Sequence, residues 1–534
     1  MEHLDLHHIF ELGLILVIMA AGITAVAKKL KQPYPIALVI IGTLIGLLNI
    51  PVLEPLKMFI TEGDIFNFVI LTIFLPALLG EAALKLPFSH LNENKKPILA
   101  LAFGGTFLSF LVIGFSTHYL LGLSIPVAFV FAALMSATDP VSVLSIFKSM
   151  GVNHKLSTTI EGESLFNDGL AVVLFKISAF SLLAYMDMGW GGLTSGVLEF
   201  VKVVAGGLLI GGGFGYAVSI LTKYFDDYPL EIIFSVILFY GAYIAAESIH
   251  VSGVIAVVIA ALTFGNFGAK VGMSPTTRLN INNFWDVAAL LANSIVFLMV
   301  GLEITRIEFA DKWGIIGLAL LIVLVGRSIA VYGSTMFVKG LPTSWRHVLN
   351  WGGLKGSLSI ALVLSLPGDF DGRETLLILT FSIVLFSLVV QGITIKPLIN
   401  YFGLRAKHSG SKEYEDIVAN LHRHEAGIAE IQKIKSQLFI PEPVYGEMLT
   451  SYEKEIDDIH DNLDRLLEEH PHLKTSQLIT LKKHSLYAQH AKITELEQDE
   501  IISIEVAQKY KDILNNDLAI IEEEDVLKES KRTH

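Results

Sequence analysis

The sequence predicts an all-α polytopic membrane protein of about thirteen transmembrane helices followed by a helical tail. Composition is the first observation behind this fold class, because 52% of the 534 residues are hydrophobic and only 17% are charged, which is too apolar for an ordinary soluble domain. The second is a series of apolar runs that fills residues 9–400. The third is the change near residue 408, after which charged and apolar residues alternate at helical spacing.

The apolar runs are separated by polar, proline or glycine residues and give thirteen predicted spans, numbered here in chain order. They are residues 9–27, 35–50, 65–84, 97–117, 126–147, 157–185, 193–222, 230–248, 252–268, 282–302, 313–338, 345–366 and 374–400.

The charge distribution divides the chain into a transmembrane domain, residues 1–407, and a tail, residues 408–534. The tail carries 15 Lys and Arg against 27 Asp and Glu, a net −12 of the total −13. Such an acidic segment argues against a nucleic-acid partner, which needs clustered basic charge. Residues 456–467 show the amphipathic helical pattern of the tail. We interpret the tail as a regulatory domain whose ligand or protein partner the sequence does not identify.

Basic residues between the spans predict the orientation in the bilayer, since cytoplasmic loops are enriched in Lys and Arg. The segments after odd-numbered spans hold thirteen such residues, and those after even-numbered spans hold only Lys57, Arg306, Lys312 and Arg373. This places the N-terminus outside and the tail in the cytoplasm. Because Glu2 and Asp5 stand where a signal peptide would be basic, we expect the first span to be retained.

Two spans carry helix-breaking residues. In span 5, Pro140 removes a helical hydrogen bond and disfavours helical geometry at Asp139. In span 12, the glycines Gly352, Gly353 and Gly356 surround Lys355. Broken helices at matching positions predict an inverted repeat of two six-helix units, with span 7 as connector and the binding site at the midplane. The alternatives are an interfacial helix cap at Thr138 and a Lys355 side chain that extends to the membrane surface.

Span 6 begins with a polar stretch, residues 161–168, in an otherwise apolar run. At helical spacing, Ser164 and Asp168 share one stripe, while Glu163 and Asn167 share the neighbouring stripe. An ionisable group at membrane depth is costly unless it faces a cavity or a partner. The alternative is an ordinary helix N-terminus outside the membrane.

Three further charged residues lie within the spans, and another lies near a span end. Arg327 lies deep in span 11 and predicts a buried acidic partner. Glu81 in span 3 has either a structural role or a place on an ion route. Glu247, beside a short outer loop, is interpreted as a solvated residue, and Lys176 as a residue near a span end.

Asp139 and Asp168 come from two different helices, with the Ser164 hydroxyl and a freed Thr138 carbonyl nearby. Oxygen ligands of this kind suit Na⁺, Li⁺ or H⁺ far better than an anion. A proton and a metal ion can then compete for one carboxylate, which is a mechanism of exchange. The chain contains no cysteine, so thiolate metal sites and disulfides are excluded, and no cofactor motif is present. An ion channel gated by the tail, or a membrane sensor that signals through it, remains an alternative, and an enzyme is the least favoured class.

Five motifs together resemble the cation:proton antiporter-1 family, which includes the bacterial NhaP-type and the animal sodium/proton exchangers. In order and spacing, they are residues 138–140, 163–168, 251–256, 326–327 and 352–356. The resemblance covers roughly residues 10–400 and leaves the tail unassigned.

The resemblance implies an antiporter fold and an exchange of Na⁺, or Li⁺ or K⁺, for H⁺ in the plasma membrane. It implies that Asp168 binds the ion and exchanges the proton, with Ser164, Asp139 and the Thr138 carbonyl completing the Na⁺ site. Glu81 would shape the cytoplasmic funnel or reach the ion through water.

The resemblance also assigns supporting roles. Asn167, where electrogenic relatives have an aspartate, implies electroneutral exchange, and Glu163 would pair with Arg327. The family is dimeric, with spans 1–3 and 8–10 as a static dimerisation part and spans 4–6 and 11–13 as a moving core. One departure is Lys355, where the family usually has an arginine, so the partner of this charge is left open.

Overall fold

A computed structural model describes residues 6–30, 32–48, 68–225, 227–304, 312–404, 411–437, 440–498 and 501–532. The chain forms two compact units, residues 1–405 and 406–534, a division two residues from the boundary that the charge distribution predicts. Regular structure within the described ranges is helical throughout. Glu2, Asp5, Lys31, Lys57, Arg306, the end of span 2 and the start of span 3 lie outside the described residues.

Each predicted span of the first unit corresponds to a helix or to a series of helical segments. Spans 1–4 are Leu6–Lys29; Tyr34–Leu47; Phe68–Phe74 with Leu75–Lys85; and Lys95–Leu99, Ala100–Gly105 and Thr106–Leu121. Spans 5–8 are Ile125–Leu134 with Val141–Met150; His154–Lys176, Ile177–Ser181 and Leu182–Asp187; Trp190–Leu221; and Tyr228–Ser248. Spans 9–13 are Gly253–Thr263 with Phe264–Gly268; Pro275–Ile304; Trp313–Thr335; Thr343–Trp351 with Ser357–Leu364; and Arg373–Phe386, Ser387–Gln391 and Gly392–Tyr401. Phe88–Glu93 is a short helix between spans 3 and 4.

Not every span is a full-length helix. Among the described residues, eight helices are long and apolar enough to cross a membrane by length and composition. The apolar helices Tyr34–Leu47 and Gly253–Gly268 are shorter, and spans 5 and 12 are each two short helices separated by an irregular segment. Because the two halves of a broken span share the membrane depth, neither half needs to span it alone.

Glycines allow two helix pairs to pack at backbone contact. A Cβ on Gly42 in span 2 would lie 2.8 Å from the Leu298 carbonyl oxygen in span 10. Likewise, a Cβ on Gly215 in span 7 would lie 2.8 Å from the Ala260 carbonyl oxygen in span 9. Since lipid tails offer no hydrophobic drive for association, close packing through small residues holds such helices together. Spans 2 and 10, and spans 7 and 9, therefore form tight pairs.

The second unit consists of the helices Ser411–Gln437, Glu442–Glu469, Pro471–Gln498 and Ile504–Arg532. The first packs against the second and the third packs against the fourth. The apolar positions of the predicted amphipathic pattern supply a small core, with Leu421, Ile459, Leu466, Leu473, Ile479, Ala507, Leu514 and Leu518 buried.

Candidate functional site

The broken segments of spans 5 and 12 lie against each other, and this contact is called the crossing. The Asp139 amide donates to the Leu354 carbonyl at 2.8 Å, and the Ser359 hydroxyl donates to the Leu134 carbonyl at 2.6 Å. Apolar helix that is buried in the protein precedes this break in span 5, so Thr138 is not an interfacial cap. Each broken span thus forms hydrogen bonds with backbone groups that have no helical partner in the other span.

Lys355 joins the two breaks through its side chain. Its Nζ donates to the Met135 carbonyl at 2.5 Å and to the Ala137 carbonyl at 3.0 Å, and the residue is only 3% exposed. Its backbone amide donates to the Ser387 hydroxyl at 2.8 Å. The side chain therefore does not extend to the membrane surface. It places a positive charge at the carboxyl end of a half-helix, where the helix dipole favours a cation.

The polar stretch of span 6 packs directly on the break of span 5. The Ser164 hydroxyl donates to the Thr138 carbonyl, and the Asn167 Nδ2 donates to Thr138 Oγ1 at 2.7 Å. Both polar stripes of span 6 therefore hold Thr138. Since a hydroxyl oxygen accepts as well as donates, Ser164 keeps lone pairs available while it bonds to the carbonyl.

The two aspartates at the crossing have different surroundings. Asp139 Oδ1 accepts from the Val141 amide at 2.9 Å and so caps the second half of span 5. Asp168 Oδ1 is buried and has no hydrogen-bond partner in the part of the chain that the structure describes. A buried polar atom without a partner is uncommon and calls for an explanation such as a bound ion.

A cavity of about 670 Å³ lies beside this crossing. Thr138, Asp139, Ser164 and Asp168 lie in its wall, so the structure brings all four predicted ion ligands to one cavity. Lys28 and Lys148, which follow the odd-numbered spans 1 and 5, also line it. The cavity therefore opens on the lysine-rich side of the bundle.

Glu81 lies in the same wall but is already paired. Lys85 Nζ donates to Glu81 Oε1 at 2.7 Å and also bonds to Asp286 of span 10. Glu81 thus forms a structural ion pair and also lines the cavity wall, while its place on an ion route stays a prediction. The sequence did not single out Asp286, which the fold alone brings to this cavity.

Glu161 is a second cavity residue to which the sequence assigned no role. It precedes Asp168 by seven residues, which is two helical turns, so both carboxylates lie on one face of span 6. Helical spacing from Asp168 is the signal that identifies Glu161.

The predicted partner of Arg327 is present on the far side of the crossing. Arg327 Nη1 donates to Glu163 Oε1 at 2.5 Å, and both residues are buried. Arg327 Nη2 donates to the Leu349 carbonyl at 2.9 Å, and a Cβ on Gly353 would lie 2.6 Å from Arg327 Nε. This pair ties spans 6, 11 and 12 together, and neither Glu163 nor Arg327 lines the large cavity.

Broken helices that cross beside two carboxylates, in a bundle of apolar helices, define a secondary transporter of the membrane. The comparison with protein families agrees with this class. The chain belongs to the sodium/hydrogen exchanger family, because the model for the transmembrane part of that family matches residues 13–401.

Two named relatives show how far the similarity extends. The Na⁺/H⁺ antiporter NhaG of Bacillus atrophaeus is 66% identical over 508 residues, which cover 95% of this chain and 97% of the relative. The Na⁺/H⁺ antiporter NhaH of Halobacillus dabanensis is 56% identical over 398 residues, 74% of this chain and 99% of the relative. The second relative therefore lacks a counterpart to about a quarter of this chain.

A solved structure shares the fold. The sodium proton antiporter MjNhaP1 from Methanocaldococcus jannaschii matches with a TM-score of 0.61 over 74% of this chain and 98% of the other, at 22% sequence identity. At this identity the likeness shows the fold alone.

Proposed function

We propose that this protein exchanges Na⁺, or Li⁺ or K⁺, for H⁺ across the plasma membrane, with one ion for one proton. The proposal rests on one observation at Asp168. This residue lines the cavity beside Asp139, and its buried Oδ1 has no hydrogen-bond partner among the described residues. The names of the relatives NhaG and NhaH support the same activity. Nothing in the comparisons supports the channel alternative.

The proposed mechanism is competition at one carboxylate. Asp168 binds either a proton or the metal ion, and Ser164, Asp139 and the Thr138 carbonyl supply further oxygen ligands to the metal. Hard oxygen ligands are those that a small alkali cation needs in place of water. Na⁺ and H⁺ are the cargo, and the mechanism requires no resident cofactor.

One-for-one exchange follows from the side chain before the aspartate. Asn167 is neutral and donates to Thr138 Oγ1, so its position adds no further carboxylate to Asp139 and Asp168. If only the loaded carrier reorients, one Na⁺ moves in one direction and one proton in the other. No net charge then crosses the membrane.

The cavity opens on the side where the lysines of spans 1 and 5 lie, which the charge pattern assigns to the cytoplasm. We therefore interpret this conformation as inward-open. In the proposed cycle, spans 4–6 and 11–13 move as a core against spans 1–3 and 8–10. The static spans form a homodimer, the N-terminus lies outside and the acidic tail is a cytoplasmic regulatory domain.

Purified protein in liposomes tests the activity and its site together. Adding Na⁺ is expected to dissipate a preset pH gradient, reported by a pH-sensitive dye, and Asp168→Asn is expected to abolish the signal because asparagine cannot exchange a proton. Glu374→Gln is the matched control, since Glu374 is exposed, pairs with Lys312 and does not line the cavity. Undiminished exchange in D168N contradicts the assignment of the site.

Electroneutrality is tested in the same vesicles. Setting the membrane potential with K⁺ and valinomycin is expected to leave the initial rate of Na⁺/H⁺ exchange unchanged, because the cycle moves no net charge. A rate that follows the imposed potential contradicts one-for-one stoichiometry. Parallel assays with Na⁺, Li⁺ and K⁺ determine the cation, with K⁺ assayed without the ionophore.

A further inference from the structure

Span 6 has a second polar contact at the end opposite the cavity mouth. Lys176, which follows Asp168 by eight residues, donates from Nζ to both carboxylate oxygens of Glu247, at 2.9 Å and 2.7 Å. The two side chains are 44% and 32% exposed. Lys176 ends its helix, as its predicted place near a span end implies. The two residues form an ion pair between span 6 and span 8, which the interpretation of Glu247 as a solvated residue did not include.

Glu247 is itself fixed to a third helix. Its Oε1 also accepts from the amide of Gly253 at 3.1 Å, and Gly253 is the first residue of the span 9 helix. The carboxylate is thus held at the positive end of that helix, where the helix dipole favours an anion. Lys176 therefore bonds to a group that spans 8 and 9 hold in place together.

These helices belong to different moving parts under the proposed function, on which the following inference rests. Span 6 carries Asp168 in the core, while spans 8 and 9 belong to the static part. Asp168 and Lys176 lie about 12 Å apart along one helix, so a displacement of Asp168 relative to the static part displaces Lys176 as well. The contact with Glu247 cannot persist through such a movement.

We propose that the Lys176–Glu247 ion pair is a latch that holds the conformation in which Asp168 faces the cavity, and that it breaks in each reorientation. The pair bridges the core–static boundary at the end that lies away from the cavity. Lys176 and Glu247 are positioning residues, since neither lines the cavity.

A second lysine–glutamate pair provides a matched control. Lys312 Nζ lies 2.9 Å from Glu374 Oε1 and joins the starts of spans 11 and 13, both in the proposed core. Because these two spans move together, this pair stays formed throughout the cycle. It has the same chemistry as the latch but does not cross the boundary.

The cysteine-free sequence makes reversible cross-linking a direct test in proteoliposomes. Joining the cysteines of K176C/E247C with a short bifunctional methanethiosulfonate is expected to reduce Na⁺/H⁺ exchange at least about tenfold, because a locked carrier cannot reorient, and reduction should restore it. The linked K312C/E374C variant should keep its rate. If linked K176C/E247C exchanges as fast as the unlinked protein, the latch is refuted.

A labelling assay tests the latch without relying on transport. Ser145 lines the cavity, so a membrane-impermeant maleimide added to inverted vesicles should label S145C in the inward-open state. Lys176→Gln is expected to slow this labelling about two- to fivefold, the range for losing one partly exposed ion pair, whereas Lys312→Gln should not. Glu247 is left intact because it also binds the Gly253 amide.

Equal labelling rates in S145C/K176Q and S145C/K312Q overturn the latch, even where a cysteine pair proves inactive before cross-linking. Failure of the proposed function gives a different result, since the unmodified protein would then show no Na⁺/H⁺ exchange. The labelling difference would still report on the ion pair in that case.

Discussion

At the scale of single residues, the pair of Arg327 and Glu163 shows how a buried charge depends on its partner. The two side chains lie 2.5 Å apart in the interior, and taking charges out of water is costly unless each is paired. Arg327→Met alone would leave the Glu163 carboxylate buried without a counter-charge. It is expected to destabilise the protein by about 3–5 kcal/mol, measured by thermal unfolding in detergent.

The double variant E163Q/R327M is the control for this prediction. It removes both charges, so it should recover part of the stability that R327M loses. An R327M protein as stable as the unmodified one would show that the pair does not hold spans 6 and 11.

Lys355 supports a second prediction at this scale. Lys355→Met would leave the carbonyls of Met135 and Ala137 without their donor, at a cost of about 1–3 kcal/mol for each buried group. Lys355→Arg keeps the charge and the donors, and it restores the residue that the antiporter-1 resemblance leads us to expect. K355R should therefore retain exchange and thermal stability better than K355M, and the opposite order contradicts this account of Lys355.

At the scale of elements, the crossing of spans 5 and 12 depends on the absence of side chains. A Cβ on Gly356 would overlap the Asp139 side chain, and backbone groups of the two breaks already bond at 2.8 Å through Asp139 and Leu354. A side chain at residue 356 would therefore force the two segments apart. The glycine cluster is therefore a requirement of the crossing as well as a break in the helix.

Gly356→Ala is accordingly expected to reduce Na⁺/H⁺ exchange by more than about tenfold, since a shift of about 1 Å at a reacting group can cost two orders of magnitude. Gly317→Ala is the control, because a Cβ on Gly317 has nothing within 4 Å. Rates are compared at equal amounts of reconstituted protein. Normal exchange in G356A would mean that the crossing tolerates more separation than its contacts indicate.

At the scale of the whole molecule, the antiporter unit and the tail are separate compact units. The family model ends at residue 401, and the relative NhaH matches over 99% of its length while leaving about a quarter of this chain without a counterpart. The site and its cavity lie entirely in the first unit. Exchange should therefore not require the tail.

A chain that ends at residue 405 is thus expected to retain Na⁺/H⁺ exchange in proteoliposomes, with any effect of the tail seen as a changed pH dependence. The full chain, reconstituted at the same density, is the control. A truncated protein that is folded and has the same oligomeric state as the full chain but does not exchange would assign an essential role to the tail.

The sequence by itself determined the features that depend on local chemistry. Apolar length fixed the spans, Pro140 and the cluster from Gly352 to Gly356 fixed the breaks, and helical spacing placed Ser164 and Asp168 on one stripe. Each depends on residues within a few turns of one another, so local rules suffice.

Only the tertiary structure decided which of these groups meet. Lys355 bonds to carbonyls 218 and 220 residues away, and Lys176 bonds to Glu247 71 residues away. Which helices contact each other depends on the packing of all the spans. The residues next to a lysine in the sequence do not reveal whether its side chain contacts water, a carbonyl or a carboxylate. For that reason the sequence could predict candidate ion ligands, while the contacts at the crossing and the ion pair between spans 6 and 8 required the fold.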